Sequence, residues 1–528
     1  MSLTAKIAGI AVLTATGALF LGCGGGGGGG STGPTQPTPP ADPTWTSGVF
    51  SAPSTYAAYC ANPRSGTDSI TGLAYPDKLG STVWENNWLR AWTHAYYLWT
   101  TEVQDVNPGG GYTTAQYFDL MKTTATTASG AAQDRFHFTY DTASWEQLET
   151  SNASIGYGVA WALIAASPPR QLRIAYVDAN TPATAANLAR GATVLSIDGV
   201  DLVNDNTQAG INTLNAGIAP SSVGESHTFV ITDTPGGAQR SVTLVAANIT
   251  EDPVPHTATF ATGDGGVVGY IEFNSHVEPA ENELVQAFNG FAASGVTDLV
   301  LDIRYNGGGL LDIASEVAYM IAGPGPTTNV TFEKETFNDP NATVNPVTGQ
   351  ALTPTPFWSV TQGFSTTAGQ ALPHLNLARV FVLTTADTCS ASEAIINGLR
   401  GVNINVIEIG STTCGKPYGF YPQDNCGTTY FSIQFKGENA AGFGDYGDGF
   451  TPNNTASPPG VVIPGCSVGD DYDHQLGDTA EGLFAAALSY RTSGATGCPT
   501  PSGFAPTTPV AHLVRPQVLL NRIMRRPL

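Results

Sequence analysis

The chain contains little positive charge. Six of its 528 residues are lysines and 21 are basic in total, against 43 acidic residues, which gives a formal net charge of −22. The acidic residues are spread thinly along the chain instead of forming blocks. This balance argues against a nucleic-acid partner, because such proteins neutralise phosphates with clustered lysine and arginine. An acidic, lysine-poor surface is typical of an exported protein.

The N-terminal apolar run is too short for an ordinary membrane span. It covers residues 7–21 and follows a single charge, Lys6, whereas a transmembrane helix needs about 20 apolar residues. This pattern indicates a signal peptide. The run ends in Leu-Phe-Leu-Gly-Cys at residues 19–23, which resembles a bacterial lipobox in which Cys23 is lipidated. We therefore expect a lipoprotein signal peptide at 1–23, a Gly/Pro-rich linker at 24–43, and an exported protein, anchored to a membrane through Cys23, that faces the periplasm or the cell exterior. An ordinary cleaved signal and a short anchor are the alternatives.

Cysteine is also scarce, and its spacing does not match a zinc site. The sequence has seven cysteines but no CxxC pair and no cluster of histidine and cysteine with zinc-ligand spacing. We expect neither a metal nor an organic cofactor. Apart from Cys23, the even number of cysteines favours disulfides in an exported chain, although their pairing stays open. These cysteines are Cys60, Cys389, Cys414, Cys426, Cys466 and Cys498.

The length and the apolar fraction of 41% predict two to four folded domains. Residues 44–150 are expected to form an N-terminal helical region, in which apolar residues recur three and four positions apart between Trp84 and Trp99. We interpret this aromatic stripe as core packing, with a ligand role as the alternative, and His94 beside it as a structural histidine. Two further folded parts, residues 151–250 and 251–498, and a disordered tail at 499–528 complete the predicted organisation.

Residues 151–250 alternate short β-like runs with turns. The pair Asp198-Gly199 between two hydrophobic runs predicts a tight turn. The whole stretch resembles a PDZ domain, a module that binds extended peptide C-termini by adding a strand to a sheet edge. The resemblance implies a carboxylate-binding loop formed by Gly156, Tyr157, Gly158 and Val159. A β-rich insert without affinity for peptides is the alternative.

Residues 251–498 carry the candidate chemistry, beginning with a glycine turn. A strand-like run from Val296 to Arg304 leads into three glycines, residues 307–309, and then into a helix-like stretch from Leu310 to Ile321. A phosphate-binding loop has the same outline, but the required Gly-Lys-Ser/Thr is missing and GxGxxG is not matched. We interpret the turn as an oxyanion hole, in which backbone N–H groups stabilise the charge that develops on a carbonyl oxygen.

A serine and a lysine follow the next two predicted strands. Ser390 lies where the buried strand 380–385 meets a helix at 392–399, and Lys416 lies in the turn after the strand 404–409. Neighbouring parallel strands bring such turns to the same edge of a sheet. The pair is interpreted as a nucleophile and its general base. A lysine can act as a base only when neutral, which requires its pKa to fall from about 10.4 to about 7.5, a cost of roughly 4 kcal/mol that burial beside Tyr418, Phe420 and Val382 could supply.

Three separated motifs together resemble those of the S41 peptidases, the tail-specific or C-terminal processing proteases. They are Asp-Ile-Arg-Tyr-Asn-Gly-Gly-Gly at 302–309, Ser-Ala-Ser-Glu at 390–393 and Gly-Lys at 415–416. The resemblance implies an α/β fold, with a crotonase/ClpP-like αβ protease core and an inserted or preceding PDZ-like β domain. It also assigns roles: Ser390 is the nucleophile, Lys416 the base, Gly308 and Ala391 the oxyanion donors, and Glu393 and Thr413 supporting residues. Ser392 is the alternative nucleophile, and Gly307 or Gly309 the alternative donor.

The sequence departs from the family pattern near the lysine. Some members of the family have a glutamine four residues after the lysine, where this chain has Phe420, and Gln423 or Gln434 are the candidates to replace it. The interval between serine and lysine is also one residue longer than usual. The resemblance still implies a serine endopeptidase that cleaves exported polypeptides recruited by the PDZ-like domain. A catalytically weak or inactive S41-like peptide-binding protein is the main alternative, and an esterase is a third.

The C-terminal end differs in charge from the rest of the chain. From Leu513 to Leu528 it is apolar and basic, with four arginines and no acidic residue. It could contact anionic lipid or act as an internal PDZ ligand through Leu528, and a frayed tail is the alternative.

Overall fold

The structure is a computed structural model that describes residues 38–68, 71–502, 512–514 and 522–524. The predicted signal peptide with Cys23, most of the predicted linker and most of the predicted tail with Leu528 lie outside these residues. Within the described part of the chain, no helix combines the length and the apolar character that crossing a membrane requires.

The N-terminal part packs its aromatic residues into the body of the protein. The predicted helix between Trp84 and Trp99 is confirmed as a helix that spans Thr82–Tyr96. Trp88 and Trp92 are stacked on this helix and contact the ring of Tyr430, so the aromatic stripe is core packing. The elements of this part are β1 (Tyr59–Cys60), β2 (Lys78–Leu79), α1 (Thr82–Tyr96), α2 (Thr114–Asp119), β3 (Phe138–Asp141) and α3 (Thr142–Ser151), with short 3-10 helices at Pro53–Thr55 and Thr100–Glu102.

The next part is the β domain that the PDZ resemblance predicts. Its main sheet has the order β10, β9, β7, β6, β5, with β8 paired to β7, and the strands are antiparallel. Alternate residues of these strands, among them Leu172, Ile174 and Phe229, point into one apolar core. The elements are β4 (Ala153–Gly156), β5 (Val159–Ala165), β6 (Gln171–Val177), α4 (Pro182–Ala185), β7 (Thr193–Ile197), β8 (Val200–Asp201), α5 (Gln208–Ile218), β9 (Ser226–Thr232), β10 (Gln239–Val245) and β11 (Ala247–Thr250).

The remaining part is built on a sheet with the order β12, β13, β14, β18, β19, β26. Its strands are parallel except for β12 at the edge. The elements are β12 (His256–Ala261), β13 (Val267–Glu272), α6 (Ala280–Ala293), β14 (Asp298–Asp302), β15 (Gly308–Leu310), α7 (Leu311–Ala322), α8 (Pro324–Thr327), β16 (Thr331–Phe337), β17 (Thr355–Pro356), β18 (Arg379–Thr384), α9 (Ala391–Gly401), β19 (Asn405–Gly410), β20 (Tyr418–Gly419), β21 (Gln423–Asn425), β22 (Thr428–Phe431), β23 (Phe435–Glu438), β24 (Phe450–Pro452), β25 (Val461–Ile463), β26 (Gly465–Ser467) and α10 (Gly482–Ser493), with 3-10 turns at Asp339–Asn341 and Gly494–Gly497.

Both faces of the central strands of this sheet are buried, which explains the apolar runs at the centres of β14 and β18. On β18, Val380 and Val382 face the cluster that contains α6, α7 and α9, whereas Phe381 and Leu383 face the cluster that contains α10. The result is an α/β/α arrangement. The predicted α/β class and the predicted β domain ahead of the core are both confirmed.

One disulfide and one shared sheet join the N-terminal part to the core. The expectation of disulfides is confirmed, and the pairs are Cys60–Cys426, Cys389–Cys414 and Cys466–Cys498. The first pair ties the N-terminal part to the core over 366 residues of sequence. In addition, β3 pairs with β22, so the stretch between 44 and 150 is a mixture of helices and strands that is continuous with the core.

Two short strands of the C-terminal end are also described. The first, β27 (His512–Val514), pairs antiparallel with β5, and the second, β28 (Arg522–Met524), pairs parallel with β15.

Candidate active site

Ser390 and Lys416 follow two neighbouring strands of the central sheet. Strands β18 and β19 are parallel and in register as far as Thr384 and Gly410, so the segments that follow them leave the same edge. Ser390 precedes helix α9 and has φ 62° and ψ −116°, a conformation that non-glycine residues rarely adopt. Its hydroxyl is buried and has no hydrogen-bond partner among the described residues. A strained, buried and unpartnered serine is suited to act as a nucleophile.

The carboxylate of Glu393 holds the serine and lysine segments together. Its Oε2 accepts a hydrogen bond from the backbone N–H of Ser390 at 3.0 Å and another from the backbone N–H of Lys416 at 2.8 Å. Because both nitrogens bind the same oxygen atom, the serine and lysine segments are held close together. Its Oε1 accepts from the N–H of Gly415 at 2.8 Å and from the Thr413 hydroxyl at 2.5 Å. Burial raises the pKa of this carboxyl, and the four hydrogen bonds act against that rise. The sequence-based prediction places Glu393 and Thr413 in supporting positions, and the structure brings both into contact with the site.

A disulfide spans the same two segments. Cys389 directly precedes the candidate nucleophile, Cys414 lies two residues before the lysine, and their Cα atoms are 5.2 Å apart. The N–H of Cys414 also donates to the carbonyl of Thr388. Among the described residues, the one cluster with metal-ligand geometry is Cys389, Glu393 and Cys414. Both sulfur atoms are in the disulfide and the Glu393 oxygens accept four hydrogen bonds, so the cluster braces the site and does not fit a metal.

Lys416 is fully buried between aromatic rings. Its Nζ lies 4.1 Å from the ring centroid of Phe420 and 5.1 Å from that of Phe136. The face of an aromatic ring attracts a cation, whereas burial disfavours one, so the two effects oppose each other at this nitrogen. Phe136 comes from the N-terminal part, and the neighbouring Arg135 donates to the carbonyls of Cys414 and Gly447. Sequence reasoning missed both residues, because no local pattern indicates a contact across about 280 positions.

The two glutamines considered as replacements occupy other positions. Gln434 donates from its amide to the carbonyl of Tyr421 and accepts from the N–H of the same residue. Gln423 lies in β21, paired with Tyr430. Ser392, the alternative nucleophile, donates its hydroxyl to the carbonyl of Asn306 at 3.0 Å, which favours Ser390.

The glycine turn lies next to Ser390 through Asn306. The N–H of Cys389 donates to the Asn306 carbonyl, and the Asn306 side chain accepts from the Gly308 N–H at 2.9 Å. On β15, the Gly308 carbonyl and the Leu310 N–H bond to His276. The N–H of Gly309 therefore points to the opposite side of the strand. The N–H of Gly309 can therefore donate a hydrogen bond to a peptide on that side of the strand, whereas the N–H of Gly308 already donates to the Asn306 side chain.

The candidate oxyanion donor on the serine side is the backbone N–H of Ala391. Ala391 is the first residue of α9 and is fully buried. The first N–H groups of a helix have no acceptor within the helix, and the helix dipole favours negative charge there. This backbone group lies directly after the candidate nucleophile, as an oxyanion hole requires.

The predicted carboxylate loop borders a groove of the β domain. Residues 156–159 line a cavity of about 470 Å³ together with Trp161 and the end of α5. Gly158 has φ 75°, and a Cβ there would meet the Thr181 side chain at 2.4 Å, so this turn requires glycine. The acidic side chains of Asp178 and Glu251 also line the cavity. Burial and the neighbouring Asp252 raise the pKa of Asp178 to about 6.

A buried ion network links the β domain to the core beside the glycine turn. Arg190 of the β domain donates to the Tyr305 hydroxyl and to Asp470, both at 2.7 Å. Asp470 and Glu481 also bind Arg304. Although burial acts in the opposite direction, Arg190 and Arg304 hold the pKa of Asp470 below its usual range. The segment that leads into Asn306 is thereby fixed to the β domain.

Comparison with known proteins agrees with this geometry. Residues 267–419 match the model of peptidase family S41. This part of the chain is therefore similar to peptidase family S41. The matched residues run from β13 to β20 and include the glycine turn, Ser390, Glu393 and Lys416.

Two curated proteins are similar to part of the chain. The carboxyl-terminal-processing protease of Picosynechococcus sp. is 30% identical over 138 residues, which are 26% of this chain and 32% of the relative. The chloroplastic C-terminal processing peptidase of Tetradesmus obliquus is 29% identical over 157 residues, which are 27% of this chain and 32% of the relative. The chain thus matches about a third of the length of these relatives.

A solved protein of Bacteroides fragilis NCTC 9343, named as a candidate S41 protease, shares the overall fold. The likeness has a TM-score of 0.57 at 21% identity and covers 79% of this chain and 97% of that one. It therefore extends beyond the family match and includes much of the chain outside residues 267–419.

Proposed function

We propose that the protein is a serine endopeptidase of the C-terminal processing type that uses Ser390 as nucleophile and Lys416 as general base. The observation that carries the proposal is the Glu393 carboxylate, which binds the backbone N–H groups of both residues. A buried carboxylate with four donors fixes the two segments relative to each other, as a two-residue catalytic unit requires. The unpartnered Ser390 hydroxyl and the match of residues 267–419 to the model of peptidase family S41 support the same assignment.

The reaction then follows ordinary acyl transfer. Neutral Lys416 accepts the proton of the Ser390 hydroxyl while the serine oxygen attacks a peptide carbonyl carbon. The tetrahedral intermediate collapses, the C–N bond breaks, and the lysine returns the proton to the leaving amine. Water, deprotonated by the same lysine, attacks the acyl ester and regenerates Ser390.

The oxyanion of the intermediate is stabilised by backbone N–H groups. Ala391 supplies one donor, and the glycine turn supplies the second. Gly308 has this role in the family pattern, but its N–H donates to Asn306, whereas the N–H of Gly309 points away from His276. We assign the second donor to Gly309 for a turn in the present conformation. Gly308 takes this role only if its bond to Asn306 is released when substrate binds.

The groove of the β domain recruits the substrate. An extended peptide adds to the edge of β5, and its C-terminal carboxylate reaches the backbone of residues 156–159. Asp178 and Glu251 oppose a negatively charged ligand in this groove. Recruitment is therefore expected to strengthen as the pH falls through about 6 and Asp178 gains a proton.

The contact between Lys416 and two aromatic rings favours a second candidate function. A ring face 4.1 Å from Nζ stabilises the ammonium form, and an ammonium cannot accept the serine proton. If this effect outweighs burial, the protein is a peptide receptor with an S41 fold and weak or no activity.

The proposed setting is an exported lipoprotein anchored to a membrane through Cys23. Three disulfides within the described residues support an oxidising compartment, because disulfides are rare in reducing ones. Mass spectrometry of the membrane fraction tests the anchor: a diacylglycerol adduct on Cys23 is expected, and an unmodified N-terminus elsewhere contradicts it.

Cleavage of an unstructured polypeptide tests the proposed activity. The wild type is expected to cleave it, and Ser390→Ala and Lys416→Ala to lose at least about 100-fold in kcat/KM, the usual contribution of such groups. Lys436→Ala is the matched control, since Lys436 only pairs with the exposed Asp445. A Ser390→Ala variant with full activity refutes the nucleophile. A wild type that binds C-terminal peptides and cleaves none supports the receptor function.

A further inference from the structure

A strand from the C-terminal end occupies the edge of the glycine turn. Strand β28 (Arg522–Met524) pairs with β15 so that Gly309 lies opposite Ile523. It also contacts β20, the segment that follows Lys416. The strand thus lies between the oxyanion turn and the lysine segment, on the side to which the Gly309 N–H points.

A second strand from the same end occupies the edge of the β domain. Strand β27 (His512–Val514) pairs antiparallel with β5, with His512 opposite Leu163 and Val514 opposite Trp161. From its first to its last residue, it therefore runs toward the carboxylate loop at 156–159. Addition of an antiparallel strand to an exposed sheet edge is the general mode of peptide capture by β-augmentation.

Charge complementarity supports the contact with the β domain. The last 16 residues of the chain contain four arginines and no acidic residue, in a protein with a net charge of −22. The described residues that line the β-domain cavity include Asp178 and Glu251 but no lysine, arginine or histidine. A basic segment is therefore attracted to this groove, whereas an acidic or carboxylate-terminated peptide is partly repelled.

The last described residue before this end is anchored beside the core. The N–H of Ser502 donates to the Ser467 carbonyl, and its hydroxyl accepts from the Gly469 N–H. The Cys466–Cys498 disulfide fixes the same region. The segment that follows is consequently tethered to the core, in the same molecule as both edges with which it pairs, which gives it a high effective concentration.

We propose that strands β27 and β28 of the C-terminal end form an intramolecular competitor that occupies the peptide edges of the β domain and of the active site and excludes other polypeptides. The effect on catalysis rests on the proposed peptidase function, but the occupancy itself does not. A tethered segment acts at an effective concentration on the order of 1 mM. If the segment binds with an intrinsic Kd of about 100 µM, it occupies the edges about nine-tenths of the time. The apparent affinity for a competing peptide, and kcat/KM for a substrate, are then about tenfold lower.

A binding experiment tests occupancy without any need for activity. A chain that ends at Gly503 retains the Ser502 contacts, and Ser390→Ala prevents cleavage. The probe is a fluorescent synthetic peptide of residues 511–528, measured by anisotropy. It is expected to bind the truncated chain with a Kd on the order of 100 µM and the full chain at least about tenfold more weakly. Absence of binding, or equal binding to both chains, overturns the proposal.

Two peptide variants check that the pairing is through the backbone. Met524→Pro removes the N–H that this parallel register directs at the Gly309 carbonyl, and is expected to weaken binding several-fold, while Met524→Leu preserves it. Hydrogen exchange gives an independent measurement: amides of Trp161, Leu163 and Gly309 are expected to exchange more slowly in the full chain than in the truncated one. Equal exchange at all three sites contradicts the proposal.

Activity measurements separate this inference from the proposed function. Truncation at Gly503 is expected to raise kcat/KM about tenfold. If neither the full chain nor the truncated chain cleaves any polypeptide, but the truncated chain still binds the peptide more tightly, the peptidase function is refuted and the role of the segment as a competitor is supported. Equal cleavage by both chains with equal peptide binding refutes the competitor and leaves the peptidase. Loss of the segment from purified wild type, but not from Ser390→Ala, also overturns the inference, because the segment is then a substrate.

Discussion

Replacement of Glu393 by glutamine tests how the site is held together. The carboxylate accepts two hydrogen bonds on each oxygen, three of them from backbone N–H groups. A glutamine keeps one oxygen and places an NH₂ group where the other stood, facing at least one backbone donor. Each buried N–H left without an acceptor costs about 1–3 kcal/mol, and the remaining bonds lose the benefit of the charge, so we expect a total of about 2–4 kcal/mol.

This cost falls on the relative position of Ser390 and Lys416. If the whole of this cost raises the free energy of the transition state, kcat/KM falls about 30- to 1000-fold, since each 1.36 kcal/mol is a factor of ten. The decrease is expected in kcat and not in KM, because the β-domain groove is unchanged. The assay is cleavage of an unstructured polypeptide by Glu393→Gln, with circular dichroism and thermal unfolding to confirm that the variant is folded.

Glu316→Gln is the matched control for this variant. Glu316 is another fully buried glutamate, but it lies on α7 and its carboxylate accepts from Gln362, away from the serine and lysine segments. We expect it to keep wild-type kcat. A Glu393→Gln protein that is folded and within threefold of wild-type activity would refute the positioning role of the carboxylate.

Three further predictions concern the brace, the lysine environment and stability. The double variant Cys389→Ser/Cys414→Ser, or reduction of the wild type, is expected to lower kcat while the fold persists. The reason is that the serine and lysine segments then lose the disulfide and are joined by the Glu393 carboxylate. Full activity after reduction, with the free thiols counted to confirm it, contradicts this prediction. Phe420→Leu removes an aromatic ring face that stabilises the ammonium form of Lys416 by about 0.5–1 kcal/mol. The pKa of Lys416 should fall, so the acidic limb of the pH profile of kcat/KM is expected to move to lower pH by about 0.4–0.7 units. An acidic limb at the same pH in the variant counts against the contact. Burial and Glu281 raise the pKa of Glu316 to about 9 from an ordinary 4.5, so the folded state keeps a proton that the unfolded state loses, and stability falls as the pH rises between these values. Glu316→Gln should therefore stabilise the protein by about 4 kcal/mol more at pH 8 than at pH 5 in denaturant titrations, and an equal effect at both values excludes this titration.

The strands and turns of the central sheet could be predicted because each is coded locally. The run before Ser390 is apolar from Val380 to Leu383, as in a strand buried on both faces, and the run before Lys416 is apolar apart from Asn405 and Glu408; each ends in small or turn-forming residues. The predicted helix after the glycines differs from the observed one by a single residue at each end. Parallel pairing of neighbouring strands then brings the two turns together.

Contacts made across long sequence distances could not be predicted in this way. Phe136 and Arg135 approach the lysine segment because β3 joins the sheet at β22, and no periodicity in either stretch indicates that pairing. The disulfide partners of Cys389 and Cys414 stayed open for the same reason. The role of Asn306, which engages the Gly308 N–H, also depends on a side-chain orientation that only the folded chain defines.

The central claim is that Ser390 is a nucleophile activated by Lys416, and covalent labelling tests it most directly. The protein is treated with a serine-reactive fluorophosphonate and analysed by intact mass and peptide mapping. We expect one adduct, on Ser390, formed at least about 100-fold more slowly in Lys416→Ala. An adduct on Ser392, or labelling of Ser390 at the same rate without the lysine, would contradict it.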